Sequence, residues 1–287
     1  MPAAEKSKLC PMLTGNQQKK KRSCNTDSSL AGEECDKTCE PFNPADSAFN
    51  HAESTFNPAE SAFNPAESLL RDLRSLPAWE WQRITAEHLN LDYAVVFPKI
   101  IAAKIFDALE KELEYFTGDL ARVKVFGKWH DIPRKQATYG DEGLTYTYSG
   151  ITTPARPWTA TLGALREVLH TATGYRYNFV LVNRYADGKD KMGEHKDDEK
   201  ELDPLVPIAS VSLGQPRDFY FVHQDARSKK RDVPKVRLTL GDGSVLLMRP
   251  PTNQVWYHAL PPRASAKHTR INLTFRAIKK RSCRPSF

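Results

Sequence analysis

A succession of short strand-like segments fills the C-terminal part of the chain and restricts its possible folds more than any other feature. Turn residues separate nearly all of these segments, as at Gly241-Asp242-Gly243. The segments cover residues 178–185, 208–213, 218–223, 235–240, 244–248, 255–260 and 270–278. Two amphipathic helices are predicted before these segments, over 98–118 and 159–173. Gly118 ends the first helix, and Gly174 follows the second. Helices followed by many short strands favour an α+β, mainly β fold: a sandwich or jelly roll with helices on one outer face.

The N-terminal region has a different character, because residues 41–69 repeat a seven-residue unit. The units begin at Phe42, Phe49, Phe56 and Phe63. Proline recurs in most units and each unit offers one large apolar residue, so a coiled coil is not expected. We predict that residues 1–75 form a disordered low-complexity tail and that the folded domain occupies residues 76–287.

Charge divides along the same boundary. Residues 1–70 contain seven Lys and Arg against ten Asp and Glu, whereas the remaining residues contain 35 against 25. A folded part this basic favours a polyanionic partner, nucleic acid or an anionic membrane surface, and a merely soluble basic protein is the alternative. No apolar run approaches the roughly 18 residues of a transmembrane helix, so we expect no membrane span. The basic run Lys19-Lys-Lys-Arg22 suggests nuclear import, although such runs also occur by chance in polar tails.

Two histidines and one aspartate form a candidate metal site. His195 and Asp197 are two residues apart, so in a strand they point the same way, and His258 follows 61 residues after Asp197. Two imidazoles and one carboxylate can hold Fe(II) on one side and leave three positions for a bidentate 2-oxo acid and dioxygen. A structural zinc site would need Cys or more His nearby. The sequence also lacks a His-Glu-x-x-His motif, a Gly-x-Ser-x-Gly elbow and a Gly-rich phosphate loop.

The last predicted strand alternates polar and apolar residues. Arg270, Asn272, Thr274 and Arg276 alternate with Ile271, Leu273 and Phe275. Polar side chains that face the interior are costly unless they bind something polar, and a solvent-exposed strand is the alternative. Arg270 follows His258 by twelve residues, and its planar guanidinium suits the far carboxylate of a 2-oxo acid. Asn183 and Tyr185 are also two apart and fit the same argument.

Basic and aromatic residues alternate around Gly127, as at the tip of a tight hairpin. Phe126 at such a tip would be exposed, and proteins insert phenylalanine between base steps to unstack them. Packing of Phe126 on the body of the protein is the alternative. Tyr146 and Tyr148 are two apart, so their rings either line one side of a pocket or stabilise a strand.

These motifs together resemble the AlkB family of nucleic-acid dealkylating dioxygenases. The likeness covers roughly residues 79–279. Its motifs are Asn183-Arg-Tyr185, His195-Lys-Asp197-Asp-Glu199, Trp256-Tyr-His258 and the strand from Arg270 to Arg276. Residues 122–150 resemble in particular the animal homologue 2 branch of that family. Tyr148 departs from the pattern, since the resemblance leads us to expect Phe at that position.

The resemblance implies a double-stranded β-helix (jelly roll) with N-terminal helices and a nucleotide-recognition lid over approximately residues 119–150. It implies iron on His195, Asp197 and His258. The residues implied around 2-oxoglutarate are Asn183, Tyr185, Arg270, Thr274 and Arg276. The residues implied at the substrate are Phe126, Gly127, Lys128, Tyr146, Thr147, Tyr148, Asp198 and Glu199. Phe126 would be the finger that fills the gap left by a flipped base, and Tyr146, Tyr148, Asp198 and Glu199 would border the base pocket.

The resemblance also implies an activity: Fe(II)-, 2-oxoglutarate- and dioxygen-dependent demethylation of 1-methyladenine and 3-methylcytosine in double-stranded DNA, extending to ethenoadenine. Such a direct-reversal repair enzyme would work in the nucleus as a monomer, and contact between its tail and a replication sliding clamp is a further expectation. Three alternatives stay open. They are a dealkylase of single-stranded DNA or RNA, a non-catalytic nucleic-acid binding module, and a protein or small-molecule hydroxylase, which the net charge of the body disfavours.

Overall fold

The structure is a computed structural model that describes residues 65–125, 127–148 and 151–279. The predictions about the first repeat units, the basic run at Lys19, the clamp contact and the Phe126 finger lie outside these residues, and so does the side chain of Tyr148. Within the described ranges, none of the helices combines the length and the apolar character needed to span a lipid bilayer.

Two facing antiparallel sheets form the framework. The larger sheet contains, in spatial order, β1 (Gln82–Ala86), β2 (Leu89–Val95), β13 (Ser244–Met248), β10 (Ile208–Gly214), β15 (Arg270–Arg276), β8 (Phe179–Tyr185) and β5 (Lys135–Gly140). The smaller sheet contains β12 (Val236–Leu240), β11 (Arg217–His223), β14 (Trp256–Leu260) and β9 (Met192–His195). This arrangement is the predicted jelly roll, and each of the seven predicted strands is present to within one or two residues at each end.

Three helices cover the outer face of the larger sheet: α1 (Pro65–Arg74), α2 (Lys99–Glu112) and α3 (Ala160–Thr173). The helix α3 is the one that the sequence locates best, because its ends are chemically marked. The Thr159 side chain accepts a hydrogen bond from the Leu162 N–H at 3.3 Å, and Gly174 ends the helix in the left-handed conformation at φ 75°. The short helices α4 (Gln224–Arg227) and α5 (Thr252–Val255) lie in loops of the smaller sheet.

The predicted end of α2 at Gly118 is wrong, since the helix stops at Glu112. Beyond it the backbone bonds to β5 instead of continuing the helix. The Glu114 N–H donates to the Tyr139 hydroxyl at 2.8 Å, and the Phe116 N–H donates to the Gln136 carbonyl at 2.8 Å. Tertiary hydrogen bonds therefore override the helical periodicity of this segment.

The predicted tail also extends too far. The helix α1 begins within the last repeat unit, and its Leu69 and Leu73 are buried against the other helices. Proline at position 65 does not prevent this, because proline is tolerated in the first turn of a helix. Leu70 and Leu73 follow the last unit and complete an apolar face that the earlier units lack. The β1–β2 hairpin, which the sequence did not reveal, follows α1.

The region predicted as a lid is not one continuous unit. Two small two-stranded sheets occupy this region and the four residues just after it. One pairs β3 (Arg122–Val125) with β4 (Lys128–Asp131), and the other pairs β6 (Thr145–Tyr148) with β7 (Ile151–Pro154). Between them the chain enters the larger sheet as β5, whose residues after Lys135 are buried. Because β5 is buried within the larger sheet, it connects the lid region to the core.

The strand β15 separates two interiors. Its apolar residues Ile271, Leu273 and Phe275 belong to the core between the larger sheet and the helices. Its polar residues point the opposite way, toward the smaller sheet, and all seven residues of the strand are buried. The alternative of a solvent-exposed polar face is therefore excluded. A second apolar cluster, with Leu246 and Trp256 among its members, fills one end of the space between the sheets.

Candidate active site

The three candidate metal ligands meet in the smaller sheet. β9 and β14 are neighbours there, and His195 lies directly opposite His258 in the register. Asp197 follows β9 by two residues and turns back toward both rings. Its Oδ1 lies 3.6 Å from His195 Nε2, and its Oδ2 lies 3.9 Å from His258 Nε2. One ligand atom from each residue falls within 4.8 Å of the others, so the three can share one ion.

A hydrogen bond orients the His195 ring, and burial acts on the charge of the His258 ring. His195 Nδ1 lies 2.9 Å from the Gly193 carbonyl, so it carries the proton and leaves the lone pair of Nε2 facing His258 and Asp197. Burial first, and the neighbouring His195 second, lower the pKa of His258 to about 3. At neutral pH the His258 ring is therefore uncharged, as metal binding requires.

Asp197 is ionised although it is buried. Burial would raise the pKa of its carboxyl, but the Arg276 guanidinium and the two imidazoles outweigh burial and hold the pKa at about 2. Arg276 Nη2 lies 2.8 Å from Asp197 Oδ1, and both side chains are almost fully enclosed. Burial opposes the charge of Arg276 as well, yet Asp197 dominates and raises the pKa of that guanidinium.

A cavity lined in part by the triad lies between the two sheets. Polar side chains from β8 and β15 line it together with the triad. They include Asn183, Tyr185, Arg270, Asn272, Thr274 and Arg276. The structure thus brings all five residues predicted at a 2-oxo acid into one cavity with the three predicted metal ligands.

Arg270 is a buried cation whose hydrogen-bonding capacity is only partly used. Its side chain is 2% exposed, and burial lowers the pKa of the guanidinium to about 10, so it still carries a charge at neutral pH. Its Nη2 donates to the Ser212 hydroxyl at 2.9 Å, whereas Nε and Nη1 have no hydrogen-bond partner among the described residues. The Tyr185 ring lies 5.3 Å from its central carbon. A buried cation with free donors is costly alone and suits an anionic ligand.

Several hydrogen-bond partners of the cavity residues were missed by the sequence interpretation. Asn183 Oδ1 accepts from Arg134 Nε at 2.8 Å and from Gln136 Nε2 at 2.9 Å. Asn272 Nδ2 donates to the Ser210 hydroxyl at 2.8 Å. Polar and apolar residues alternate along β5, and this pattern was a usable signal for Gln136. Ser210 carried no such signal, because a small hydroxyl in a buried strand resembles ordinary core.

Tyr146 and Glu199 form the side of the site next to Arg276. The Tyr146 hydroxyl donates to Glu199 Oε1, and the central carbon of Arg276 lies 4.8 Å from the Tyr146 ring. Burial raises the pKa of the Tyr146 phenol, which therefore stays protonated. Burial also raises the pKa of Glu199. Glu199 Oε2 is buried without a hydrogen-bond partner among the described residues, so it is free to accept one.

The other residues predicted at the substrate are spread over the surface nearby. Gly127 occupies the β3–β4 turn at φ 81°, a conformation that favours glycine, and Lys128 beside it is exposed. Thr147 is half-buried and shares a 2.9 Å hydrogen bond with Thr152. Asp198 is exposed next to the triad. The structure therefore places Tyr146 and Glu199 in contact, and leaves Gly127, Lys128 and Thr147 on the separate small sheets.

The donor set fits a divalent iron ion and an anionic chelator. Two imidazoles and one ionised carboxylate occupy one side of the cavity. Arg270, with two unpartnered nitrogens, lines the same cavity as the triad and offers donors to an anionic ligand.

Comparison with known proteins agrees with this geometry. The family model "2OG-Fe(II) oxygenase superfamily" matches residues 95–276. The mouse protein named DNA oxidative demethylase ALKBH2 is 57% identical over 206 residues, which cover 71% of this chain and 86% of the mouse protein. The human protein of the same name is 57% identical over 69% of this chain and 77% of its own length. A human alpha-ketoglutarate-dependent dioxygenase, alkB homolog 3, is 35% identical over 51% of this chain and 52% of its length.

The region that the family model matches contains the smaller sheet, the triad, the cavity and the larger sheet from β5 onward in the chain. The higher identity to the homologue 2 proteins confirms the resemblance first noted in residues 122–150. The chain therefore belongs to the 2OG-Fe(II) oxygenase superfamily, whose enzymes use Fe(II), 2-oxoglutarate and dioxygen, and within it to the AlkB homologue 2 type.

Proposed function

We propose that this protein is a direct-reversal DNA repair enzyme that oxidatively removes methyl groups from 1-methyladenine and 3-methylcytosine in double-stranded DNA, and acts also on ethenoadenine. The observation that carries the proposal is the combination of one buried His-Asp-His cluster with 57% identity to proteins named as DNA oxidative demethylases. The basic balance of residues beyond the tail favours a nucleic-acid substrate. We further propose that the protein acts as a monomer in the nucleus.

His195, Asp197 and His258 would hold Fe(II), and Arg270 would bind the far carboxylate of 2-oxoglutarate through its free Nε and Nη1. Asn183, Tyr185, Thr274 and Arg276 would line the rest of the co-substrate site. When bound, iron with 2-oxoglutarate and dioxygen supplies the oxidation of the N-methyl carbon, after which formaldehyde, succinate and carbon dioxide leave. Arg276 keeps Asp197 ionised and correctly placed for that ion.

The damaged base would reach the iron by leaving the duplex stack, and its methyl group lowers the cost because it already blocks pairing. Glu199 Oε2, buried and without a partner, would accept a hydrogen bond from the exocyclic amino group of the base. Tyr146 positions that carboxylate through its own hydroxyl. Tyr148 and Asp198 would border the pocket, while Phe126, Gly127 and Lys128 would contact the duplex at the gap.

The test is a mass-spectrometric assay of methylated duplex with and without 2-oxoglutarate. Formaldehyde release that depends on Fe(II) and 2-oxoglutarate is expected, and its absence would refute the proposal. The His195→Ala variant should lose turnover but still bind DNA, which separates an enzyme from a binding module. The Phe126→Ala variant should lose much more activity on duplex than on single strands; an equal loss on both would favour a dealkylase of single-stranded DNA or RNA.

A further inference from the structure

Arg217 lies in an unusual environment for an arginine, because its side chain is only 1% exposed. Among the described residues, no carboxylate accepts a hydrogen bond from its guanidinium. It begins β11, the strand between β12 and β14. All the hydrogen bonds that its side chain donates to described residues go to backbone carbonyls. Burial of a cation is expensive, so a fully enclosed guanidinium indicates that these contacts have a structural purpose.

The carbonyls belong to the two loops that border the candidate ligand strands. Arg217 Nη1 donates to Asp187 O at 2.9 Å, and Nη2 donates to Asp190 O at 2.8 Å and to Pro261 O at 2.9 Å. Asp190 lies two residues before β9, which ends at His195. Pro261 directly follows β14, which carries His258. A single nitrogen atom, Nη2, therefore bridges the beginning of one ligand strand and the end of the other.

That bridge lies where the ladder between the two strands is weak. β9 and β14 share only the pairs His258 with His195 and Leu260 with Met192, and the register shifts between them. A short, irregular ladder fixes the separation of its strands poorly. The two hydrogen bonds that Arg217 Nη2 donates lie at one end of this ladder, beyond Met192 and Leu260.

The same two loops also meet directly. The Gly188 N–H donates to Ala266 O at 2.9 Å, and the Arg263 N–H donates to Gly188 O at 2.8 Å. A Cβ atom at Gly188 would lie 1.8 Å from Arg263 O, so only glycine allows this approach. Arg217 thus anchors a junction of two loops in backbone contact.

We propose that Arg217 is a positioning residue for the iron site, which keeps the strands of His195 and His258 in register by bridging the loops at their ends. It is not among the residues that line the cavity of the triad. Its guanidinium extends the hydrogen-bonded ladder of β9 and β14, and so sets the separation of the two imidazoles. The inference rests on the proposed iron ligands but not on the nature of the substrate.

The test compares Arg217→Lys and Arg217→Gln with the unchanged protein. Lysine keeps the charge but lacks the planar fork that reaches three carbonyls. We expect Fe(II) affinity, titrated without oxygen, to fall about 10- to 100-fold in both variants, as is typical when groups that orient metal ligands are lost. We also expect the visible absorption of Co(II), used as a probe ion, to shift, because it reports the geometry of the ligands.

The control is Arg166→Lys in α3, which removes an arginine that is paired with Asp141 at 2.9 Å and lies 4.5 Å from the Trp158 ring, on the helical side of the larger sheet. That variant should bind both ions as the unchanged protein does. Unaltered Fe(II) affinity and Co(II) absorption in both Arg217 variants would overturn the inference. Unfolding of both variants without metal would also overturn it, since Arg217 would then serve the whole fold. Failure of the unchanged protein to bind Fe(II) would instead refute the proposed ligands.

Discussion

Two regions of the molecule differ in how their polar side chains are placed. One is the interior between the larger and the smaller sheet, and the other is the pair of two-stranded sheets within residues 122–154. In the first, charged groups such as Asp197 and Arg276 are enclosed and paired with one another. In the second, all four residues of β4 are exposed, and each small sheet has only two strands. Two-stranded sheets are marginal alone. Under the proposed function, the fold itself would preorganise the iron site and the buried Glu199 contact to the base, whereas contacts to the duplex would depend on exposed side chains such as Lys128.

The largest expected effect comes from removing a ligand within the enclosed site. In His258→Ala, formaldehyde release should fall to the level measured without protein, and Fe(II) binding should be lost, because two remaining ligands do not hold the ion. Binding of duplex DNA should persist, since it depends on the exposed region. Measurement of metal content, turnover and DNA affinity on one preparation checks this, and loss of DNA binding together with turnover would contradict the separation of the two regions.

A second prediction concerns acid sensitivity of the metal-free protein. Folding lowers the pKa of His258 from 6.5 to about 3, so between these values the unfolded chain binds a proton that the folded chain does not. The free energy of unfolding should therefore fall as the pH falls, by about 3 kcal/mol between pH 6.5 and 4. Denaturant titrations in the presence of a chelator measure this loss.

The control for that titration is His258→Gln, which lacks the titrating ring. Its stability should vary less over the same pH range, because the contribution of the folded-state pKa disappears. Equal pH dependence of the two proteins would show that the His258 ring is not protected from protonation.

The sequence predicts the enclosed region well, for physical reasons that are local. Alternation along 270–276 located a strand with one polar face, and Thr159 and Gly174 marked both ends of α3. The end of α2 and the start of the folded part could not be found this way. The first depends on hydrogen bonds from Glu114 and Phe116 to a distant strand, and the second on the burial of Leu69 and Leu73 by other helices.

The same limit applies within the site. His195, Asp197 and His258 are identified by residue type and spacing, because few other side chains bind iron. Arg217 is not, since its partners are backbone carbonyls that carry no sequence signature. Residues that position a site through the backbone of distant loops become visible only in three dimensions.

A third prediction tests the anion site. In Arg270→Lys, the concentration of 2-oxoglutarate needed for half-maximal rate should rise about 10- to 100-fold, because the loss of a charge-assisted bidentate contact costs about 1.5–3 kcal/mol. The maximal rate should change less. Ser212→Ala, which removes the 2.9 Å partner of Arg270 Nη2, should have a smaller effect in the same direction. Equal effects of both substitutions would mean that Arg270 acts by packing and not by binding the co-substrate.

The smallest effect is expected from the exposed region, at Lys128 beside the β3–β4 turn. If its ammonium contacts one phosphate, Lys128→Gln should reduce the slope of log affinity for duplex against log salt by about 0.9. The matched control is Lys104→Gln on α2, where the lysine pairs with Asp72 at 2.7 Å on the helical side of the larger sheet. Fluorescence anisotropy at several salt concentrations measures both slopes. An equal change in the two variants would show that the duplex is attracted by net charge alone, and the small sheets would then lose their assigned part in recognition.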